Sequence, residues 1–179
     1  VKIEITSPVP VTHTLALRLP DWCAEPAVSL NGQAITGEVS RGYLYLNRNW
    51  QEGDTLTLTL PMPVRRVYGN PQVRQQAGKV ALQRGPLVYC LEEADNGANL
   101  HNLSLPQDSA FRVFEGKGIF AHKMLIQAEG IGCQAKDTDA LWQYDHSPVE
   151  RQPQTLTFIP WFSWANRGEG EMRIWVDEG

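Results

Sequence analysis

The sequence predicts an all-β fold of two antiparallel β-sandwich domains in tandem, each of a jelly-roll-like type. Three observations favour it. Apolar and polar residues alternate with period two along many short segments, turn residues separate these segments, and no long window carries a capped helical period. A seven-strand sandwich takes about 100 residues. The 179 residues therefore fit two, predicted at 1–77 and 78–179 with a margin of about 15 residues at the boundary.

The first half shows the alternation most clearly. Thr14–Leu19 places leucines on one face, and Thr55–Leu60 repeats leucine and threonine, whose β-branched side chain suits a pleated surface. The pair Asn31-Gly32 separates two apolar runs, which is a strong signal for a two-residue hairpin. The same pattern predicts strands at Ala27–Leu30 and Gly42–Leu46.

The second half continues after a polar, weakly patterned joint at 68–78. The stretch 96–120 is less regular and predicts a long loop with one or two short strands, and 137–144 predicts one helical turn. Strands are predicted at Lys79–Gln83, Leu87–Glu92, Lys123–Ala128, Thr155–Ile159 and Glu171–Val176.

Composition excludes several classes of partner. Sixteen basic residues against 20 acidic ones give a net charge of -4 without a basic run, which argues against nucleic acid. There is no basic amphipathic helix and no long apolar run, which argues against a membrane partner. The cysteines are odd in number and widely spaced, which predicts free thiols at Cys23, Cys90 and Cys133. Free thiols in turn predict a reducing compartment, the bacterial cytoplasm.

The chain begins at Val1, inside a strand-like run and without a methionine. We therefore expect it to be a piece of a longer protein.

The acidic pairs do not predict a catalytic centre. Glu169 and Glu171 on one strand would lie about 7 Å apart, a separation near that of glycosidase carboxylates. Side chains on one face of one strand cannot flank a sugar ring, however, so a solvated or ion-paired rim is expected. Asp137-x-Asp139 is typical of surface turns, and Glu92-Glu93 suits a strand end. Nucleophile-elbow, zinc and phosphate-loop motifs are missing, so no catalytic residue and no metal ligand is predicted.

Aromatic and polar residues combine in the segment 161–168. Trp161 and Trp164 could stack on sugar rings, while Asn166 and Arg167 could hydrogen-bond to hydroxyls, so these four are candidate contacts for a carbohydrate or another domain. Alternatively, the tryptophans pack a sandwich end and Arg167 holds the loop. Arg84, in an Arg-Gly-Pro turn, is a fifth candidate contact, or its five donors tie turn carbonyls together.

Seven motifs together resemble the C-terminal region of glycoside hydrolase family 127, the β-L-arabinofuranosidases. The resemblance covers nearly the whole chain in order. It is specific, because the runs ALQRGPLVYC (81–90) and WANRG (164–168) are long and unusual in combination. The motifs are LRLPDWC (17–23), VSLNG (28–32), WQEGD (50–54), PVRRV (63–67), GKVALQRGPLVYCLE (78–92), WANRG (164–168) and GEMRIW (170–175).

The resemblance implies that catalysis belongs to an (α/α)6 barrel outside these residues. There, cysteines and a glutamate would hold zinc, with a cysteine nucleophile and a glutamate acid/base. Cys23, Cys90 and Cys133 do not match that ligand pattern, so no cofactor is expected in this chain.

The chain is then expected to be the non-catalytic β-sandwich region of a retaining enzyme that releases terminal β-L-arabinofuranose. It would support the barrel of the same parent chain, shape the mouth of its pocket or mediate a homodimer. Two alternatives stay open: a carbohydrate-binding module that uses Trp161 and Trp164, and a purely structural or dimerisation domain.

Overall fold

The computed structural model describes residues 1–135 and 149–179, and it confirms the all-β prediction of antiparallel sandwich domains. The chain divides into two compact units, Val1–Pro63 and Val64–Gly179. The predicted division lay at residue 77. The structure divides the chain earlier because the strand Val64–Tyr68 pairs with Lys79–Arg84 in the second unit. The predicted helical turn at 137–144, with Asp137 and Asp139, lies outside the described residues.

The first unit holds two antiparallel sheets around one core. One sheet has the order β1-β7-β3-β4 and the other β2-β6-β5. Trp50 is fully buried and donates its Nε1–H to the carbonyl oxygen of His13 at 3.0 Å. The strands are β1 (Lys2–Glu4), β2 (Val11–Arg18), β3 (Ala27–Leu30), β4 (Gln33–Ala34), β5 (Glu38–Ser40), β6 (Tyr43–Trp50) and β7 (Thr55–Thr59). The core side chains are Leu17, Val28, Leu44, Leu46, Trp50, Leu56 and Leu58.

The predicted hairpin at Asn31-Gly32 is confirmed. Both residues have positive φ, 52° and 81°, as a tight two-residue turn between paired strands requires. The Asn31 amide also donates to Asp54 Oδ1 at 2.8 Å, and the Gln51 backbone N–H donates to Asp54 Oδ2 at 2.8 Å. Hydrogen bonds from the Gln51 backbone and then from Asn31 lower the pKa of Asp54, because they stabilise its ionised form.

The second unit closes its strands into a ring. Each neighbour in the series β9-β10-β14-β13-β11-β16 is hydrogen-bonded to the next, and β16 returns to β9. β8 pairs with the other edge of β9, β12 shares an edge of β13 with β11, and β15 shares an edge of β10 with β9. The strands are β8 (Val64–Tyr68), β9 (Lys79–Arg84), β10 (Leu87–Glu92), β11 (Leu103–Ser104), β12 (Phe111–Glu115), β13 (Met124–Ala135), β14 (Val149–Pro160), β15 (Met172–Arg173) and β16 (Val176–Asp177).

The main core of the second unit is drawn from all six strands of the ring. Alternate residues of each strand contribute to it, since side chains along a strand point to opposite faces. A four-residue helix, α1 (Glu93–Asn96), follows β10. The core side chains are Val80, Leu82, Tyr89, Leu91, Leu100, Leu103, Leu105, Ile126, Ala128, Leu156, Phe158 and Val176.

Two strands extend furthest beyond the predicted ones. β13 and β14 are each 12 residues long, longer than the apolar patterns at Lys123–Ala128 and Thr155–Ile159 predicted. Their extensions contain Gly130, Gly132 and Pro153, which have low β-propensity, but these residues pair across the hairpin. The predicted strand Glu171–Val176 is divided into β15 and β16 because its two ends pair with different strands.

No helix within residues 1–135 and 149–179 has the length and apolarity needed to cross a membrane.

Candidate functional site

The segment after β14 carries three exposed aromatic side chains. Trp161–Ser163 forms a single 3-10 turn directly after Pro160. Trp161 is 50% exposed, Phe162 59% and Trp164 41%. We call Trp161, Phe162 and Trp164 the aromatic patch. Because large apolar side chains normally lose most of their surface to the core, three exposed together indicate a contact surface.

A network of charges holds the patch segment against the end of β10. Arg167 donates from Nε to Glu92 Oε2 at 2.9 Å and from Nη1 to Asp95 Oδ1 at 2.7 Å, and its Nη2 also contacts both carboxylates. The Glu92 side chain is 5% exposed and that of Arg167 is 24% exposed. Asp95, and then Glu92, raise the pKa of Arg167 by hydrogen bonding to its charged form. Arg167 is therefore a permanently charged partner of a buried carboxylate.

Further contacts fix the backbone of the segment. The Ala165 N–H donates to Glu92 Oε1 at 3.1 Å, and the Asn166 amide donates to the carbonyl oxygen of Ser163 at 2.9 Å. Ser163 is buried, and its hydroxyl has no hydrogen-bond partner among the described residues. Polar side chains of the segment are thus hydrogen-bonded within the protein, while the aromatic rings are exposed.

A second, smaller core lies on the outer face of β10. Cys90, Phe120, Leu125 and Ile159 pack together there, and the Arg167 guanidinium lies 4.7 Å from the centre of the Phe120 ring. Burial, followed by the charges of Glu92 and Asp95, raises the pKa of Cys90 to about 12. A thiol that stays protonated is neither a nucleophile nor a metal ligand at neutral pH.

Metal binding by zinc requires several close ligands. Within 1–135 and 149–179, no three His, Cys, Asp or Glu side chains gather in a way that could hold a metal ion. Cys23 and Cys90 are buried free thiols and Cys133 is a half-buried one. The described residues therefore do not fit the zinc–thiolate chemistry that the resemblance implies for a barrel.

The structure brings four of the five candidate contacts onto one segment: Trp161, Trp164, Asn166 and Arg167. Arg84 is half-buried at the end of β9, where the turn leads into β10. Among the described contacts none joins Arg84 to the patch segment. Its charge acts instead on the hydroxyl of Tyr89. Burial raises the pKa of Tyr89 above its ordinary value, and Arg84 offsets part of that rise.

The partner that sequence reasoning missed is Glu92. It ends an apolar strand and is 4% exposed, and a buried carboxylate needs a cation. Glu169 and Glu171 are both exposed, as a solvated rim predicts, although neither lies in a strand. Glu171 accepts the Leu100 N–H at 2.7 Å, so its carboxylate supports a turn of the core.

Comparison with protein-family models divides the chain as the fold does. Residues 1–62 match the model described as "Beta-L-arabinofuranosidase, GH127 middle domain", and residues 64–177 match "Glycoside hydrolase family 127 C-terminal domain".

Individual relatives agree with these matches. The chain is 34% identical over 192 residues to a non-reducing end β-L-arabinofuranosidase of Bifidobacterium longum subsp. longum, covering 96% of this chain and 28% of that protein. A GH127 β-L-arabinofuranosidase structure from Geobacillus stearothermophilus T6 superposes with a TM-score of 0.91 at 39% identity, covering 99% of this chain and 28% of that one. A GH127 β-arabinofuranosidase structure gives a TM-score of 0.84 at 31% identity, covering 99% and 29%. The chain thus spans little more than a quarter of these relatives' length.

Proposed function

Because the chain belongs to glycoside hydrolase family 127, we propose that it is the non-catalytic β-sandwich region of a β-L-arabinofuranosidase. Its relatives carry that name, and it spans 28% of two of them. Two of the acidic residues that could suggest catalysis have structural contacts: Glu92 neutralises Arg167, and Glu171 accepts a backbone N–H. The reacting groups of the parent enzyme belong, in this proposal, to a helical barrel outside these residues, where zinc would be held.

The aromatic patch is the proposed contact with that barrel. Three large side chains between 41% and 59% exposed carry the argument. They project from a segment held rigidly by Arg167, so little conformational entropy is lost when a partner covers them. The free cysteines support a reducing location, the bacterial cytoplasm.

A sugar contact by Trp161 and Trp164 is the second candidate, favoured by the exposure of both indole rings. Asn166 and Arg167 contribute less to it than their residue types predicted, because both already hydrogen-bond within the protein. A homodimer through the same patch is a third outcome that the test below distinguishes.

Two measurements test the proposal. The 179-residue chain should not hydrolyse an aryl β-L-arabinofuranoside, and turnover by the pure chain would contradict a non-catalytic role. A chimera should then be made in which this chain replaces the corresponding region of the Geobacillus stearothermophilus relative, and it should be active.

The variant Trp161→Ala/Trp164→Ala separates the candidates, with Ile119→Ala, another exposed apolar residue of the second unit, as the control. Docking predicts a lower Tm for the chimera and an unchanged Tm for the isolated chain. A raised KM at constant Tm would favour the sugar contact. A change from dimer to monomer in the isolated chain, measured by light scattering, would favour dimerisation.

A further inference from the structure

The outer face of the sheet β2-β6-β5 in the first unit contains an open hollow of about 660 Å³. Ligand-binding clefts typically enclose about 300–1,000 Å³. Neither the aromatic patch nor any predicted site residue takes part in it. The lining residues are Thr14, Glu38, Ser40, Arg41, Tyr45 and Asn47.

Strand register explains why these side chains lie together. Tyr45 and Asn47 are two apart on β6, so they share the face opposite Leu44 and Leu46 of the core. Tyr45 pairs with Glu38 on β5 and Ala16 on β2, and Asn47 pairs with Thr14. The small Ala16 side chain leaves space beside the Tyr45 ring.

The polar groups of the hollow are not used by the fold. Among the described residues, the side chains of Thr14, Glu38, Ser40, Tyr45 and Asn47 make no hydrogen bond or ion pair with another protein group. The neighbouring Tyr43 differs. It lies outside the lining, and Arg18 is 5.5 Å from its ring centre while donating to the Gly42 carbonyl at 2.8 Å.

Arg41 supplies a second, independent observation. It forms the β5–β6 turn with Gly42, and its φ is 48°. Left-handed backbone is unfavourable for residues other than Gly, Asn and Asp, and the equivalent position of the other tight turn is Asn31. Arg41 therefore lines the hollow from a left-handed backbone position that costs conformational energy.

We propose that this hollow, which we call the tyrosine hollow, binds a neutral oligosaccharide. The Tyr45 ring offers a stacking surface, and Thr14, Ser40 and Asn47 offer donors and acceptors for hydroxyl groups. The single carboxylate of Glu38 and the single guanidinium of Arg41 balance each other, so the site favours an uncharged ligand. The class of sugar used as a probe rests on the proposed function, but the hollow itself does not.

The test is a ¹H–¹⁵N NMR titration of the 179-residue chain with arabinotriose, with trigalacturonate as a charged comparison. We expect saturable shifts at residues of β2, β5 and β6 with arabinotriose. Tyr45→Ala should weaken binding about tenfold, the effect of losing one stacking contact. Asn49→Ala is the control, on the same strand and face but outside the lining, and should leave binding within about twofold.

Asn47→Ala provides a second variant if Tyr45→Ala disturbs the fold, and it should also weaken binding. The proposal is overturned if arabinotriose causes no saturable shifts, if only trigalacturonate binds, if the shifts map to the aromatic patch, or if Asn49→Ala weakens binding as much as Tyr45→Ala. Failure here leaves the chimera result untouched, because that result depends on second-unit residues.

Discussion

The aromatic patch and the tyrosine hollow both combine aromatic rings with charged and amide side chains, but their polar groups are used differently. Beside the patch, Arg167, Asn166 and Glu92 are all bonded within the protein. In the tyrosine hollow, Glu38 and Asn47 have no such partners among the described residues. The difference teaches that residue type alone does not identify a binding site, because the same Arg and Asn chemistry serves the fold in one place and is free for a ligand in the other.

Substitution of Arg167 should have the largest effect on stability, because Arg167 neutralises a buried carboxylate beside the patch. Arg167→Ala leaves the buried Glu92 carboxylate without its cation, which should lower the free energy of unfolding by about 3 kcal/mol. Urea unfolding measures this. Arg74→Ala, an exposed arginine of the same unit with no described ion pair, should change stability by less than about 0.5 kcal/mol. Equal effects of the two substitutions would show that the network near the patch is not structural.

Two adjacent arginines of β8 show the same contrast between a side chain that is bonded within the protein and one that is exposed. Arg66 donates to the Leu105 carbonyl at 3.3 Å and to Glu178 at 3.2 Å, and it also contacts the Pro106 carbonyl. Arg66→Ala should cost about 2 kcal/mol, since it removes charge-assisted hydrogen bonds from a site where Arg66 is 14% exposed.

The control for Arg66 is its neighbour. Arg65 is exposed on the opposite face of β8, so Arg65→Ala should change the urea midpoint little. A loss as large as that of Arg66→Ala would contradict the role assigned to the Arg66 contacts.

Exchanging the residues at equivalent positions of the two tight turns tests whether Arg41 serves the fold or a ligand. Arg41→Asn should raise the free energy of unfolding by about 1 kcal/mol, because Asn tolerates the left-handed backbone better. The reciprocal Asn31→Arg should lower it by about 1 kcal/mol or more, since the bonds to Asp54 and Thr55 are also lost. Arg41→Asn should at the same time weaken arabinotriose binding. If Arg41→Asn is neither more stable nor weaker in arabinotriose binding, the proposed role of Arg41 in the hollow is wrong.

The pH dependence of the first unit gives the smallest effect. The pKa of Asp54 is lower in the folded protein than the ordinary value of 3.8, so its ionised form favours folding. That contribution is complete above the unfolded pKa and is lost as pH falls through the folded one. Asp54→Asn should therefore flatten the acid side of the stability–pH curve.

The sequence predicted the strands and the Asn31-Gly32 hairpin because local alternation and turn chemistry decide them. It did not predict the extensions of β13 and β14, since pairing between strands overrides the low propensity of Gly130 and Pro153 there. The candidate residues of segment 161–168 were found from composition. Their division into exposed rings and bonded polar groups depended on Glu92, a partner more than 70 positions away, which no local pattern could indicate.

The tyrosine hollow escaped sequence reasoning for the same reason. Its residues come from three strands that are brought into register by hydrogen bonding, and Tyr45, Glu38 and Thr14 form no contiguous motif. The one local signal was Arg41-Gly42, where an arginine precedes a glycine between two strand-like runs. A turn prediction alone would have placed Asn or Gly before that glycine.

The ring of strands in the second unit has a consequence for the order of biosynthesis. β9 emerges early from the ribosome, but one half of its edge stays open until β16, at Val176–Asp177, is available to pair with it. The unit therefore cannot close its ring of strands before Val176–Asp177 is available, and its assembly depends on contacts of long sequence separation, which form slowly. Until then the edges of β9 and β11 that pair with β16 remain exposed, and unpaired strand edges are open to pairing between molecules.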